Sequence, residues 1–301
     1  MQDLINSTLQ QHFGFNRFRE GQQAVIDILM SGHSAAAVFP TGGGKSLCYQ
    51  LPALLLSGIT LVVSPLIALM KDQIDALNAK GINAQRLDST LSADDYRQVI
   101  SKLREGKLKI LYIAPERFNN ERFRETIRPL QISLFAIDEA HCISEWGHNF
   151  RPDYLKLIGY AHDFQAERVL ALTATATDSV LSDIRNSFNI AEQHAIRTGF
   201  YRANLTLMYT PVSTCDRDQV LLDNLKQQTP GATIIYVTLQ KTAEKLAAFL
   251  QSEGLACQAY HAGMKDDKRS QIQEWFMASK QGIVIATIAF EIGRASCRER
   301  V

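Results

Sequence analysis

Phe39-Pro40-Thr41-Gly42-Gly43-Gly44-Lys45-Ser46 is the stretch that decides the fold. It follows a short apolar run, Ala35-Ala36-Ala37-Val38, and opens onto Leu47-Cys48-Tyr49-Gln50-Leu51-Pro52-Ala53-Leu54. That order reads as a strand, a glycine turn and a helix start. Consecutive glycines let backbone N–H groups converge with no Cβ in the way, and the helix start adds the positive end of its dipole. Together they form a cradle for nucleotide phosphates. Lys45 is placed to reach the β- and γ-phosphates, and the Ser46 hydroxyl to sit on Mg²⁺. The general phosphate-loop pattern begins with a glycine where this chain has Phe39, so the match is to the shorter form Thr-Gly-x-Gly-Lys-Ser. A flexible glycine turn ahead of a helix is the plainer alternative. The complete strand, loop, Lys-Ser and helix context argues against it.

Outward from this loop, the length of 301 residues fits two domains. Apolar residues make up 46% and charged residues 21%, enough to bury a sizeable core. A net charge of +1 neither points to nor excludes nucleic acid, so any polyanion site must come from local placement of Lys and Arg. Cys48, Cys142, Cys215, Cys257 and Cys297 are odd in number and scattered, with no short zinc half-site spacing. A reduced, cytoplasmic setting is expected. The first residues carry no basic leader, and no apolar run reaches the roughly 18 residues a membrane span needs.

Residues near 4–11 and 20–31 have amphipathic helical patterns. Between them, Phe13, Phe15, Arg17, Phe18, Arg19 and Gln22 form an aromatic, basic turn. Its rings and the Gln22 amide suit an adenine edge, and a core-anchoring aromatic turn reads equally well. Strand candidates Ile59–Ser64, Lys109–Ala114, Ile132–Asp138 and Val169–Thr173 alternate with helical stretches at 66–80, 92–105 and 177–189. That alternation predicts βαβ units and a parallel α/β sheet covered on both faces. Ligands of such sheets sit at the carboxyl ends of the strands. A looser segment at 198–216 reads as a linker. A second α/β series follows, with strands near 232–238, 256–260 and 282–287 and helices near 216–227, 239–253 and 265–279.

The apolar run Leu134-Phe135-Ala136-Ile137 ends in Asp138-Glu139-Ala140-His141. An acid at a strand end beside a phosphate loop can hold Mg²⁺, which suits Asp138, and Glu139 is then placed to orient and deprotonate an attacking water. A solvated acidic turn is the alternative for an isolated Asp-Glu pair. Just beyond come Trp146, His148, Phe150 and Arg151. Aromatic faces stack on unpaired bases and Arg binds phosphate, while a hydrophobic plug between domains is the other reading. Arg117, Arg122, Arg124 and Arg128 read as a solvated face, with phosphate contact as the alternative.

Thr-Gly-Gly-Gly-Lys-Ser together with Asp138-Glu139-Ala140-His141 resembles a superfamily 2 helicase motor. Cys142-Ile143-Ser144-Glu145-Trp146-Gly147-His148-Asn149-Phe150-Arg151-Pro152-Asp153-Tyr154 closely resembles the aromatic-rich loop of RecQ DNA helicases, where it links DNA contact to ATP hydrolysis. The family usually carries Gln at the position of Glu145 and Asp at that of Asn149. The resemblance runs from about residue 4 to 290 and implies two RecA-like domains, the second incomplete, at 1–205 and 206–290. It implies a 3′→5′ ATP-dependent DNA helicase acting in recombination and repair, with ATP and Mg²⁺ as cofactors and single-stranded and partly duplex DNA as partners.

The resemblance also assigns residues. Arg19 and Gln22 match the adenine motif, and Thr41, Gly42, Gly43, Gly44, Lys45 and Ser46 the phosphate loop. Lys45, Asp138, Glu139 and His141 match the hydrolytic set. Ser64-Pro65-Leu66, Thr173 and Thr175 match motifs for strand contact and for coupling hydrolysis to motion. Phe200, Arg202 and Asn204 match the interdomain signature; Tyr236, His261-Ala262-Gly263 and Thr287-Ile288-Ala289-Phe290 match the second domain. The family then runs through a glycine-rich segment to a downstream arginine motif. Here residues 291–301 instead resemble a sequencing-adapter translation, so an artefactual tail is expected and neither Arg294 nor Arg298 is read as an arginine finger. Zinc is not expected. Two other readings stand beside the helicase: a nucleotide- and DNA-binding module without useful turnover, and an RNA helicase or remodeller on the same motor.

Overall fold

A computed structural model describes residues 1–65, 67–88, 91–144, 151–199, 205–287 and 290. The chain divides into two compact units, Met1–Tyr201 and Arg202–Val301. The positions expected at Trp146, His148, Phe150, Phe200, Arg202 and Asn204, and the tail at 291–301, lie outside the described residues.

In the first unit the chain forms α1 (Gln2–Thr8), a wider π turn at Leu9–Phe13, α2 (Gln22–Met30), β1 (Ala35–Val38), α3 (Leu47–Leu55) and β2 (Ile59–Val63). It continues through α4 (Ile67–Ala79), β3 (Ala84–Leu87), α5 (Ala93–Arg104), β4 (Ile110–Ile113), α6 (Glu121–Ile127) and β5 (Ile132–Ile137). The unit closes with α7 (Pro152–Asp163), β6 (Val169–Thr173), α8 (Asp178–Ser187) and β7 (Ala195–Arg197). The strands make one sheet in the order β3-β4-β2-β5-β6-β1-β7, and every pairing is parallel.

Side-chain alternation along these strands sorts the core onto two faces. Ala35, Ala37, Val62, Ile110, Tyr112, Leu134, Ala136, Leu170 and Leu172 pack with Ile5, Val25, Ile26, Leu51 and Ile74 of α1 to α4. Ala36, Leu61, Val63, Leu111, Phe135, Ile137 and Ala171 pack with Val99, Phe123, Tyr154, Leu157, Val180 and Ile184 of α5 to α8. Both faces are therefore dry, which is why the strands read as continuous apolar runs.

The consequence for function is positional. β6 lies between β1 and β5, so the ends of β1 and β5 stand about 10 Å apart with Thr173 between them. The Phe39 N–H donates to the Thr173 carbonyl at 3.1 Å, tying the base of the phosphate loop to the end of β6.

The second unit contains α9 (Arg217–Gln227), β8 (Thr233–Tyr236), α10 (Gln240–Ser252), β9 (Cys257–Tyr260), α11 (Asp266–Ala278) and β10 (Ile283–Ala286). Its described strands form a parallel sheet in the order β8-β10-β9. One face packs on Leu222, Ala243, Leu246 and Leu250, the other on Ile272, Phe276 and Phe290. Within this unit Tyr236 donates to the Phe290 carbonyl at 2.9 Å, and buried His261 pairs with Glu244 at 3.1 Å.

Candidate nucleotide site

The turn after β1 can exist only because of its glycines. Gly42 and Gly44 adopt φ +82 and +75, left-handed values that side chains resist. A Cβ on Gly44 would stand 2.4 Å from Gln22 Nε2, and one on Gly43 2.9 Å from the Pro40 carbonyl. The turn is thus backbone alone at these positions, which is what close approach of a phosphate demands. Thr41 and Ser46 are half-buried on either side of it, and Ser46 stands at the N-cap of α3.

Lys45 is buried, and its Nζ reaches back across its own loop to the Phe39 carbonyl at 3.4 Å. Behind it, burial pushes the Cys48 thiol up to about 12 against the opposing influence of the Lys45 charge. That sulfur is an inert packing atom.

Arg19 and Gln22 are brought onto the same loop. Gln22 Nε2 donates to the Gly44 carbonyl at 2.9 Å and the Gly43 carbonyl at 3.4 Å, while its Oε1 accepts the Arg19 N–H at 2.8 Å. The Arg19 guanidinium donates to the Gly42 carbonyl. Their side chains brace the turn, a contact the sequence pattern did not reveal because it joins segments more than twenty residues apart.

At the end of β5 the side chains of Asp138 and Glu139 take different positions. Asp138 is buried; its Oδ2 accepts from Ser64 Oγ at 3.4 Å and its Oδ1 from the Glu139 N–H at 3.1 Å. Tyr154, fully buried on α7, donates to the Asp138 carbonyl at 3.1 Å. Nothing in its residue type marked that role beforehand. Glu139 itself adopts φ +53, a left-handed value that costs a non-glycine residue about 1–2 kcal/mol. Such strain persists only where neighbours over-determine it, and it gathers at functional sites.

His141 supplies part of that determination. Its Nδ1 lies 2.9 Å from Thr173 Oγ1 and 3.3 Å from Glu139 Oε2. The Thr173 hydroxyl has one proton and gives it to the Thr175 carbonyl at 3.0 Å. Nδ1 must therefore carry its own hydrogen, shared between Thr173 and Glu139. Burial works against the imidazolium, but the Cys142 sulfur and the Glu139 carboxylate outweigh it and push the His141 pKa up to about 9.

Beyond the turn Ala140–Ile143, Arg151 N–H donates to the Cys142 carbonyl at 3.1 Å, so the chain leaves and rejoins the site at one place. The arginines at 117 and 124 serve packing: one lies 5.1 Å over the Tyr96 ring, the other pairs with Glu121 at 2.7 Å. Among the described residues no cluster of three or more His, Cys, Asp or Glu could hold a metal, and no helix is long and apolar enough to cross a membrane.

A phosphate loop braced from α2 and an Asp-Glu-Ala-His turn bonded across β6 coincide with a match to the DEAD/DEAH box helicase model over residues 19–184. The chain belongs to the DEAD/DEAH box helicase family. The helicase conserved C-terminal domain model matches residues 216–295 of this helicase chain. It is 42% identical over 281 residues to the ATP-dependent DNA helicase RecQ of Pasteurella multocida, covering 93% of this chain and 44% of that protein. To the RecQ of Haemophilus influenzae it is 41% identical over 287 residues, with 95% and 46% covered. The chain thus spans about half the length of the curated relatives it matches. The crystal structure of the DUF1998 helicase MrfA bound to DNA is similar at TM-score 0.71 and 17% identity, covering 97% of this chain and 45% of that one. At that identity the likeness speaks for the helicase fold alone.

Proposed function

We propose that this chain is the motor portion of an ATP-dependent DNA helicase of the RecQ kind, with a nucleotide-binding domain at 1–205 and part of a second motor domain at 206–290. The observation that carries the reading is the hydrogen-bonded run from Glu139 through His141 to Thr173 and Thr175, lying directly beside the phosphate loop.

The backbone of Thr41 to Ser46 and the Lys45 ammonium would hold the phosphates, and Arg19 and Gln22 would face the adenine side while bracing the loop. Ser46 and Asp138 offer hard oxygen donors of the kind Mg²⁺ prefers, and the ion would supply positive charge to the phosphate oxygens. Glu139 takes the proton of the attacking water on its carboxylate, and the shared Nδ1–H of His141 keeps that carboxylate aimed. As hydrolysis changes what Glu139 and His141 bear, Thr173 and Thr175 carry the change to β6 and α8. Trp146, His148, Phe150 and Arg151 have the chemistry to stack on unpaired bases and hold phosphate, which favours single-stranded and partly duplex DNA. A 3′→5′ direction and a role in recombination and repair are what the resemblance to RecQ helicases implies, and the scattered cysteines suit a reduced, cytoplasmic setting.

The test is steady-state ATP hydrolysis with and without single-stranded DNA, beside Lys45→Ala and Trp146→Ala. Lys45→Ala should lower turnover by about a hundredfold or more. Trp146→Ala should bind nucleotide normally yet lose stimulation by DNA. Retained turnover in the first, or equal stimulation in the second, would refute the corresponding role, and stronger stimulation by matched RNA would favour an RNA remodeller.

A further inference from the structure

The turn that carries Glu139 is held at two points by one continuous strand, loop and helix, Val169 to Ser187. At its start, His141 Nδ1 meets Thr173 Oγ1 at the end of β6. At its end, Ser144 Oγ donates to Asp183 Oδ2 on α8 at 2.6 Å, the short distance of a hydrogen bond to a carboxylate. Ser144 is 2% exposed, and its N–H returns to the His141 carbonyl at 3.3 Å. Between these points Ala140, Cys142 and Ile143 pack in one apolar cluster with Val180 and Ile184, the residues of α8 on either side of Asp183. α8 in turn starts just after Thr175, with Thr177 as its cap.

We propose that Asp183 is a positioning residue for hydrolysis: by accepting the Ser144 hydroxyl it fixes the turn Ala140–Ser144 to α8 and so keeps Glu139 and His141 in register with Thr173. The strained backbone of Glu139 is the reason such an anchor is needed. At φ +53 the residue relaxes toward ordinary backbone unless the segment after it is pinned. The His141–Thr173 contact pins one end only. Asp183 touches no reacting atom; it acts through Ser144, and it lies in a helix whose sequence gives no sign of a site. This inference rests on the reading of Glu139 as the base that activates water.

The experiment measures kcat and KM for ATP under saturating single-stranded DNA in the unaltered protein and its variants. Asp183→Ala and Ser144→Ala should each lower kcat about tenfold while leaving KM within about twofold. Asp183→Asn, which keeps an acceptor oxygen, should retain most of the turnover. The double variant Ser144→Ala/Asp183→Ala should lose no more than either single variant, since both remove the same contact. Unchanged kcat in either alanine variant, additive losses, or a rise in KM matching the fall in kcat would each overturn the role. Should Asp183→Ala fail to fold, Ser144→Ala and Asp183→Asn decide the question by the same criteria. An unaltered protein with no DNA-stimulated turnover would instead remove the reading of the site, and this inference with it.

Discussion

At Glu139 and His141 the arrangement turns on the placement of single atoms. The Nδ1–H of His141 is divided between a threonine hydroxyl and a carboxylate, and the ring titrates near pH 9 in the folded state against 6.5 ordinarily. A raised folded pKa contributes stability that is fully present below the unfolded value and is lost as pH rises through the folded one. Unfolding free energy should therefore fall between pH 6.5 and about 9 in the unaltered protein, and fall less in His141→Gln. Denaturant melts of both proteins across that window check the point, and parallel pH profiles would contradict it. The residue types of this set were legible in the sequence, because a glycine loop with Lys-Ser and a strand ending in Asp-Glu have specific chemistry. Their partners were not. Gln22 against the Gly43 and Gly44 carbonyls, Tyr154 against the Asp138 carbonyl and Asp183 against Ser144 are contacts between distant segments, and spacing along the chain carries no trace of them.

At the scale of elements, α8 connects the Thr173–Thr175 loop to the packing beneath the Asp-Glu-Ala-His turn. Its first turn is satisfied by Thr177, whose hydroxyl accepts the Val180 N–H at 3.3 Å. Thr177→Ala should lower the stability of the first unit by about 1 kcal/mol, measured by urea unfolding. An unchanged midpoint would mean that the cap contributes nothing to that unit. The apolar strands β2, β4, β5 and β6 and the helices α4, α5 and α8 follow the sequence pattern closely, since burial leaves an unmistakable run. β1 is the exception in composition: Ala-Ala-Ala-Val has weak strand preference, yet it is fully buried between β6 and β7, where small side chains let helices pack closely on both faces. β3 and β7 escaped sequence reasoning because they are short, polar edge strands, Ala-Gln-Arg-Leu and Ala-Ile-Arg. α6 and α7 are less legible because α6 is a seven-residue helix dense in charge and α7 starts directly after the aromatic loop.

For the whole molecule, the two units divide the labour unequally. The first holds the phosphate loop and the Asp-Glu turn on one sheet; the second contributes a smaller parallel sheet and the match to the helicase C-terminal domain. In the second unit Leu207, Met208 and Tyr209 are more than four-fifths exposed, an apolar run of the kind that favours association. On the proposed function, Glu139 performs the nucleotide chemistry at the ends of β1 and β5, and single-stranded DNA drives it. The most direct measurement is DNA-stimulated ATP hydrolysis in the unaltered protein and in Glu139→Gln, with ATP affinity measured alongside. The expected result is stimulated turnover that falls at least about a hundredfold in Glu139→Gln while ATP affinity stays within about threefold. Turnover that survives the substitution, or affinity that falls in step with it, would contradict the claim.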